Sequence, residues 1–437
     1  MSPTPEDPAH ARPCLLLLAS KLGYQIRSFA EAASHLGLDV VIGSDRCRQL
    51  DDPWSDGAVP LQFQQPERAA KQLFQAVRGR PVRGILALGD RQTATAAHAA
   101  RLLGLRYNLP ESVENCRSKL RQRQVLRAAG LPVPDFFCFY VSEAIDSVLP
   151  RVAFPCVVKP LRLSASQGVI RANDAAEFAA AVKRIAKLLA SAEIQVTRES
   201  DLDRLLVENY IPGAEVALEG LLDRGQLRVL ALFDKPDPLE GPYFEESIYT
   251  TPSRLPSEMQ ERIFDCAART VRALDLSEGP VHAEFRVNQA GPWVLEVSPR
   301  PIGGLCSRVL RFGPERIFLE ELLVRQAIGL PGPGLDRESL AAGVMMIPVP
   351  SSGVLEEVAG VDQATAIPGV DEIHITARLH DFIAAWPEGS SYLGFIFARG
   401  ETPEEVEAAL RRAHQALRFR ITPRLSVAHP ASRPTPA

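Results

Sequence analysis

The chain has 437 residues and a mass of 47.7 kDa, a length that indicates about three domains. Hydrophobic residues make up 46% and charged residues 23%, values typical of globular proteins, so the composition excludes wholesale disorder. The formal net charge of −4 argues against a nucleic-acid groove or a basic membrane-binding surface, and no apolar run approaches the roughly 20 residues that span a bilayer.

Two features bear on the cellular location. The segment Ser2–Pro8 is acidic and rich in proline, whereas a secretory signal begins with a basic segment. The seven cysteines are scattered and never occur in C-x-x-C spacing, which argues against both a disulfide framework and a zinc site. We therefore expect a cytoplasmic protein that binds neither nucleic acid nor a membrane.

Short apolar runs alternate with amphipathic helices over the first hundred residues. This alternation predicts βαβ units and a parallel sheet, as in a Rossmann-like domain. The dinucleotide fingerprint G-x-G-x-x-G does not occur, because the turn after the first strand reads Ser20-Lys-Leu-Gly-Tyr24, and this argues against a dehydrogenase. The predicted strands are Cys14–Ala19, Leu38–Gly43 and Val82–Leu88, and the predicted helices are Ser28–Leu36, Glu67–Val77 and Arg91–Leu103.

The pattern changes from about residue 109 onward. One continuous helix is predicted over Glu114–Ala129, because Gly130 follows it and two prolines come next. Strands dominate over 205–234, with a hairpin turn at Asp223–Gln226. The other elements predicted here are strands Phe136–Tyr140 and Pro155–Lys159 and helices Ala175–Leu189 and Ser257–Leu274.

A cluster of proline and glycine at Pro331–Leu335 predicts a linker. Beyond it, short strands and a helix over Pro403–Leu417 predict a small α+β domain. The tail rich in Pro, Ser and Ala is predicted to be disordered. We therefore divide the chain into an N-terminal Rossmann-like domain, a central domain, a C-terminal domain and a tail. Their predicted bounds are 1–112, 113–330, 331–426 and 427–437.

The most informative segment is Val281–Arg300, in which apolar and polar residues alternate on two arms. One alternate set is wholly apolar and includes Phe285, Trp293 and Leu295. This period of two predicts a half-buried hairpin, with the three-residue loop Gln289–Gly291 at its tip.

Counting outward from this loop places Glu284 directly opposite Glu296 on the polar face. Directly opposed carboxylates destabilise a sheet, and a cation between them would remove that cost. Two hard oxygen ligands with Arg300 nearby suit Mg²⁺ shared with nucleotide phosphates. The alternative for the hairpin taken alone is a solvated polar face without a metal.

A second group of residues indicates phosphate binding. Lys159 ends an apolar strand, and the following loop, Leu161–Val169, is rich in small residues whose backbone N–H groups could hold phosphate oxygens. A Walker A loop is excluded, since G-x-x-x-x-G-K-[ST] does not occur. A lone lysine is usually a surface charge, but the chain has seven lysines against 42 arginines, so Lys119 and Lys159 on one stretch favour phosphate contact.

The segment Leu206–Val216 predicts a strand, a turn and a second strand. Backbone groups at such a crossover could bond the edge of a purine, and a carboxylate could bond ribose hydroxyls. The alternative is an ordinary turn flanked by acidic residues.

Together these motifs resemble an ATP-grasp ligase in their order and spacing. The shared features are a lysine on the entry helix, a V-x-K-P strand, a small-residue loop, an E-x(4)-G-x-E hinge and an E-x(11)-E-x-[N/S]-x-R hairpin, over about residues 14–330. The segment Leu379–Val406 resembles the C-terminal domain of bacterial L-amino-acid ligases. The resemblance implies an ATP-grasp fold of mixed α/β and α+β class, with a Rossmann-like N-terminal domain, a two-lobed ATP-binding domain and a small C-terminal α+β domain.

The resemblance assigns eight residues to ATP. Two lysines would contact the phosphates, and a loop of small residues would close over them. An acid and a backbone group would meet adenine, and a second acid would meet the ribose. In this order the residues are Lys119 and Lys159; Ser164, Ser166 and Gly168; Glu208 and Ile211; and Glu215.

The resemblance also assigns the metal ligands and one catalytic residue. Glu284 and Glu296 would hold Mg²⁺ (or Mn²⁺). Ser298 stands where the family usually has asparagine, so it would be a weaker third ligand. Arg300 would bind the acyl phosphate and stabilise the oxyanion that develops when an amine attacks it.

The same resemblance indicates which residue would bind the amine substrate. Glu246 would receive a substrate ammonium group, but Tyr249 stands where dipeptide-forming members often have histidine, which leaves the substrate open. We therefore predict an ATP- and metal-dependent carboxylate–amine ligase. It would form an amide or peptide bond through an acyl phosphate, with amino acids as its small-molecule substrates.

Two alternatives to this prediction stay open. The chain could be an ATP-grasp ligase for another carboxylate or amine, as in purine or natural-product pathways. It could also be a nucleotide-binding protein without turnover, which Ser298 favours, whereas Glu284, Glu296 and Arg300 argue against it. A homodimer is common among proteins of this resemblance.

Overall fold

In a computed structural model, the chain is described over residues 12–20, 24–45, 58–332, 334–389 and 391–423. The predicted tail at 427–437, the acidic segment Ser2–Pro8 and one residue of the predicted linker lie outside these ranges. Within the described ranges, every helix falls short of the length and apolar character that a bilayer crossing requires.

A parallel sheet forms the N-terminal region, which confirms the alternating strand and helix prediction. Its elements are β1 (Cys14–Leu18), α1 (Tyr24–His35), β2 (Asp39–Ser44), β3 (Ala58–Pro60), α2 (Pro66–Ala76), β4 (Val82–Ala87) and α3 (Asp90–Leu103). The strands stand in the order β3-β2-β1-β4, and all pairs are parallel. Every residue of β1 is buried, because α1 covers one face of the sheet while α2 and α3 cover the other.

Two short helices replace the single helix predicted over Glu114–Ala129, so that prediction is wrong. They are α4 (Pro110–Arg117) and α5 (Lys119–Ala128). Ser118 lies between them in an extended conformation, and its hydroxyl caps α5 by accepting a hydrogen bond from the Arg121 N–H at 3.4 Å. The break makes Lys119 the first residue of α5 and turns it toward the following lobe.

That lobe is a four-stranded antiparallel sheet in the order β5-β8-β6-β7. Its elements are β5 (Phe136–Tyr140), α6 (Ile145–Val148), β6 (Cys156–Pro160), β7 (Ile170–Ala172), α7 (Ala175–Leu189), α8 (Ala192–Gln195) and β8 (Arg204–Asn209). Helix α7 buries Phe178, Val182 and Ile185 against the sheet, as its amphipathic pattern predicts. Both β5 and α7 have the predicted bounds.

The remaining strands build an eight-stranded sheet that continues across the predicted linker. The central elements are β9 (Ala214–Asp223), β10 (Gln226–Asp234), β11 (Ile248–Thr251), α9 (Ser257–Ala273), β12 (Gly279–Asn288), β13 (Gly291–Ser298), β14 (Arg311–Phe312), β15 (Ile317–Phe318) and α10 (Leu319–Ala327). The C-terminal elements are β16 (Ala341–Ile347), β17 (Gly353–Ala359), α11 (Val361–Thr365), β18 (Val370–Ile375), β19 (Phe382–Ile383), β20 (Gly394–Gly400), α12 (Pro403–Ala416) and β21 (Arg418–Thr422). The strand order is β13-β12-β9-β10-β11-β16-β20-β18, so three C-terminal strands extend the central sheet.

The carboxylate hairpin of β12 and β13 forms with a register that differs from the predicted one. Asn288 pairs with Gly291, so the loop has two residues and not three. Leu295 is then an extra residue between the pairs Phe285–Val294 and Glu284–Glu296, which makes a β-bulge. Between the shorter loop and the bulge, the residues of β13 face the opposite way from the prediction. Val294 is fully buried in the core, whereas Trp293 was predicted there, and that assignment is wrong.

This register can be tested by comparing two truncations on β13. We expect Val294→Ala to lower the free energy of unfolding by roughly 1 to 3 kcal/mol, because it removes two buried methyl groups from the core. The matched change Leu295→Ala should cost less, since Leu295 is only partly buried at the bulge. Urea unfolding of both variants measures the difference. A larger loss of stability in Leu295→Ala than in Val294→Ala would contradict the bulge and support the predicted register.

Candidate functional site

One face of the eight-stranded sheet carries a row of charged and polar side chains. The opposite face is apolar, and side chains such as Val216, Ala283 and Phe285 pack there against helix α9. Because side chains alternate along a strand, the neighbours of these core residues lie on the other face. They are Glu215 and Glu219 of β9, His282, Glu284 and Arg286 of β12, and Glu296 and Ser298 of β13.

Lys235, which directly follows β10, lies at the centre of this face. Its ammonium group donates to Glu215 at 2.7 Å, to Glu284 at 3.3 Å and to Glu246. These three carboxylates bring oxygen atoms within 4.8 Å of one another. Burial lowers the pKa of Lys235, but the neighbouring carboxylates raise it by more, so its pKa lies well above the ordinary value.

Sequence reasoning missed Lys235. The rarity of lysine in this chain, seven residues in all, is the argument that identified Lys119 and Lys159. The same argument applied to the end of β10 would have found Lys235, but no motif marked its position.

The two predicted metal ligands face each other across the hairpin. Glu284 and Glu296 are directly opposed in the register of β12 and β13. Burial raises the pKa of Glu284, but Lys235 and His282 lower it by more, to well below its ordinary value. Glu296 is 30% exposed and lies 3.6 Å from the Lys119 ammonium group. Two opposed carboxylates at a partly open position offer the hard oxygen donors that Mg²⁺ or Mn²⁺ prefers.

The third predicted ligand, Ser298, is buried and bonds to a carboxylate of the N-terminal region. Its hydroxyl bonds to Asp90, the first residue of α3. The same carboxylate accepts from Arg300 at 3.0 Å for Nε and 3.1 Å for Nη2, a bidentate pair. Burial raises the pKa of Asp90 and Arg300 lowers it, and the net pKa lies below its ordinary value.

Sequence reasoning also missed Asp90. It follows a predicted strand at the carboxyl end of the parallel sheet, which is where α/β sheets bind ligands, so its position could have drawn attention. Its partner Arg300 lies 210 residues away, and nothing in the local sequence links the two.

His282 connects the hairpin carboxylates to the loop after Arg300. Its Nδ1 bonds to Glu219 and its Nε2 lies 3.3 Å from Glu284. The other oxygen of Glu219 accepts a hydrogen bond from the Ile302 N–H at 3.2 Å. Burial lowers the pKa of His282, but the two carboxylates raise it by more, to about 9, so the ring is protonated at neutral pH.

The predicted phosphate loop, Ser164–Gly168, lies beside the first turn of α5. The Lys119 ammonium group donates to the carbonyl of Leu163, directly before the loop, at 2.6 Å. Positive φ angles of 55°, 53° and 73° occur at Ala165, Ser166 and Gly168. Such a conformation is uncommon for alanine and serine, and strained backbone of this kind clusters at ligand-binding loops.

Lys159 and Glu208 meet each other inside the antiparallel lobe. The Lys159 ammonium group lies 2.6 Å from Glu208, and Arg123 donates to the other oxygen of Glu208 at 2.7 Å. Burial raises the pKa of Glu208, but Arg123 and Lys159 lower it by more, to about 2. Burial lowers the pKa of Lys159. Contacts of these two residues with ATP therefore stay predictions.

Arg286 contacts two of the three residues predicted to meet adenine and ribose. Its guanidinium donates to Glu215 at 3.1 Å, to the Ile211 carbonyl at 3.3 Å and to the Tyr210 hydroxyl at 3.0 Å. The structure thus brings Ile211 and Glu215 to one place through a buried cation that sequence reasoning did not identify.

Glu246 joins the same face from the segment before β11. The Tyr249 hydroxyl donates to Glu246 Oε2 at 2.8 Å, while Lys235 donates to Oε1. Burial raises the pKa of Glu246, and Glu284 and Glu215 add to that effect against Lys235. A carboxylate with a raised pKa, held at both oxygens, is suited to accept a proton or an ammonium group.

Acid titration should expose the pairing of Glu208. Because its pKa is lowered from 4.5 to about 2, the pairing stabilises the fold above pH 4.5 and is lost as the pH falls toward 2. We expect Glu208→Gln to lower stability at pH 7 by about 3 kcal/mol or more, because Arg123 and Lys159 lose their counterion, and to weaken the dependence of stability on pH below 4.5.

Urea midpoints between pH 7 and pH 3.5 measure both effects. The control is Glu357→Gln, which removes a carboxylate from an exposed ion pair with Arg420. An unchanged pH dependence in Glu208→Gln would contradict the lowered pKa.

Three family models match the chain. The ATP-grasp N-terminal domain matches residues 30–106, the ATP-grasp domain matches residues 152–309, and the L-amino acid ligase C-terminal domain 2 matches residues 345–422. The three matched segments follow one another along the chain without overlap.

Individual relatives agree with the family models. A curated relative is the uncharacterized protein y4rH of Sinorhizobium fredii, 29% identical over 78% of this chain and 69% of that protein. A D-alanine–D-alanine ligase of Thermoanaerobacter sp. is 27% identical over 40% of this chain and 48% of its own length, so the chain spans about half of that relative. The L-amino acid ligase of Bacillus licheniformis has a similar structure, with a TM-score of 0.76 and 26% identity over 94% of this chain and 99% of that chain.

Proposed function

We propose that this chain, which belongs to the ATP-grasp superfamily of ATP-dependent carboxylate–amine ligases, joins two amino acids into a dipeptide or a related amide. The observation that carries the proposal is the charged sheet face, where Glu284 and Glu296 oppose each other near Lys119, Lys235 and the end of β13. The similarity to an L-amino acid ligase over 94% of the chain supports amino acids as substrates.

ATP would bind between the antiparallel lobe and the central sheet. Lys119, Lys159 and Lys235 supply positive charge for the phosphates, and the loop Ser164–Gly168 covers them. The turn that contains Ile211 would border adenine. In this structure each of the three lysines is paired with a carboxylate of the site: Lys119 with Glu296, Lys159 with Glu208 and Lys235 with Glu215.

Glu284 and Glu296 would hold Mg²⁺ or Mn²⁺, which when bound supplies positive charge to the phosphate oxygens. Phosphoryl transfer depends on positioning and on neutralised charge more than on covalent help from the protein. The first substrate's carboxylate attacks the γ-phosphoryl group in line and gives an acyl phosphate and ADP.

Arg300 would bind this acyl phosphate. A guanidinium has five N–H groups, and three of them donate to Asp90 and to the Pro301 carbonyl. The remaining two N–H groups can bind an anion while Asp90 fixes the plane of the side chain. When the amine attacks, the same two groups stabilise the developing oxyanion, and phosphate then leaves.

Glu246 would receive the ammonium group of the second amino acid. Its raised pKa suits it to take the proton that this nitrogen must lose before it attacks. The second candidate function is ligation to a different amine. The Tyr249 hydroxyl favours it, because it already occupies one oxygen of Glu246 at the position where dipeptide-forming members often have histidine.

The proposal is tested by measuring ADP release from the purified protein with ATP, Mg²⁺ or Mn²⁺, and pairwise mixtures of amino acids, with mass spectrometry of the products. We expect amino-acid-dependent ADP and a new mass equal to two substrates minus water. ADP that depends on one amino acid, without a condensed product, would favour the second candidate. No ADP with any mixture, in a protein that still binds ATP, would argue against amino-acid substrates.

The metal assignment predicts a separable loss in Glu296→Ala. We expect kcat to fall by about 100-fold or more, since a ligand of the charge-neutralising ion is lost, while ATP affinity without metal changes little. Titration with Mn²⁺, followed by its paramagnetic signal, should show weakened metal binding. The control Glu357→Ala removes a strand carboxylate outside the site. Full turnover in Glu296→Ala would mean that the ion binds elsewhere.

A further inference from the structure

The C-terminal region reaches across to the predicted phosphate loop. We define the C-terminal latch as residues 386–389, between β19 and β20. Its Pro387 carbonyl accepts a hydrogen bond from the Gly168 N–H at 3.4 Å, and its Glu388 carbonyl accepts one from the Gln167 side chain at 2.8 Å. Two successive residues of the phosphate loop are therefore bonded to the backbone of the latch.

A side-chain ion pair joins the latch to helix α7. Arg184 of α7 donates to both oxygens of Glu388, at 2.6 and 2.9 Å, in a bidentate pair. Arg184 also donates to the Tyr243 hydroxyl, and the neighbouring Pro242 carbonyl accepts from the Arg171 N–H at 2.9 Å. The lobe that carries the phosphate loop is thus tied to two segments outside it.

The same C-terminal segment continues to the other side of the site. The ring of Trp386 stacks on Tyr392 at a centroid distance of 5.0 Å, and Tyr392 packs against Phe395 at 6.3 Å. Phe395 lies so close to the loop after Arg300 that a Cβ atom on Gly304 would sit 2.9 Å from its ring. One segment therefore contacts both loops between which the acyl phosphate would form.

We propose that Glu388 is a positioning residue: paired with Arg184, it holds the latch against Gln167 and Gly168 and keeps the phosphate loop closed over the reacting phosphate. The inference rests on the proposed function, since it takes Ser164–Gly168 as the loop that covers ATP. A closed loop keeps water from the acyl phosphate, so the latch governs how much ADP release leads to condensed product.

The test reverses the two charges singly and together. Arg184→Glu and Glu388→Arg each set like charges against one another. We expect each to raise KM for ATP about three- to tenfold, and to increase the ratio of ADP to condensed product. The double variant Arg184→Glu/Glu388→Arg should restore both values toward those of the wild type. The control Arg420→Glu makes the same charge change in an ion pair of β21 and should change neither value.

Hydrogen exchange of the backbone amides over 164–168 reports on the latch without any assay of turnover. We expect faster exchange there in each single variant and recovery in the double variant. Glu388→Gln, which removes the charge without repulsion, should change exchange in the same direction and serves where a reversal fails to fold. Unchanged exchange in the folded variants would overturn the inference. Faster exchange in a protein that makes no condensed product would keep the latch and reject the proposed function.

Discussion

The charged sheet face depends on the contacts of the Lys235 ammonium group with Glu215, Glu246 and Glu284. Three carboxylates from separate segments come within 4.8 Å of one another, and without a cation among them their repulsion would drive the segments apart or leave them protonated. Each carboxylate also has a donor of its own, so the shared ammonium group is not their sole support. These additional donors are Arg286 for Glu215, Tyr249 for Glu246 and His282 for Glu284. The result is a dense, ordered set of charges: Glu215 and Glu284 stand on strands, and Lys235 directly follows one, so the sheet holds most of the geometry.

The hairpin shows how far a sequence pattern can specify such a site. The alternation of residues predicted that Glu284 faces Glu296, and the structure has that pair. It does so through two differences that offset each other, because the loop is one residue shorter than predicted and the bulge at Leu295 adds one residue back. A pattern with a period of two contains no information about a bulge, since the bulge is set by how the outer arm packs. The face of Trp293 and Val294 therefore could not be predicted.

The fold class, the parallel N-terminal sheet and the family followed from motifs that are contiguous or regularly spaced in the sequence. Lys235, Asp90 and Arg286 escaped because their roles come from contacts between distant segments. Asp90 meets a guanidinium 210 residues away, and its own neighbours give no hint of that partner. The break at Ser118 escaped for a different reason: helix propensity continues through it, and only the capping hydroxyl and the extended backbone show that a second helix begins there.

The eight-stranded sheet contains strands from both sides of the predicted linker, so removal or exchange of the C-terminal region affects the central region. Strand β11 has four register partners on β16 but only one on β10, so the strand that carries Tyr249 takes its alignment from the C-terminal region. A chain cut at the predicted linker would leave β11 as an exposed edge strand with unpaired backbone groups. Such an edge can pair with a strand of another molecule. The position of Tyr249 relative to Glu246 therefore depends in part on residues of the C-terminal region. Changes in the neighbouring strand β16 can thus alter the surroundings of Glu246.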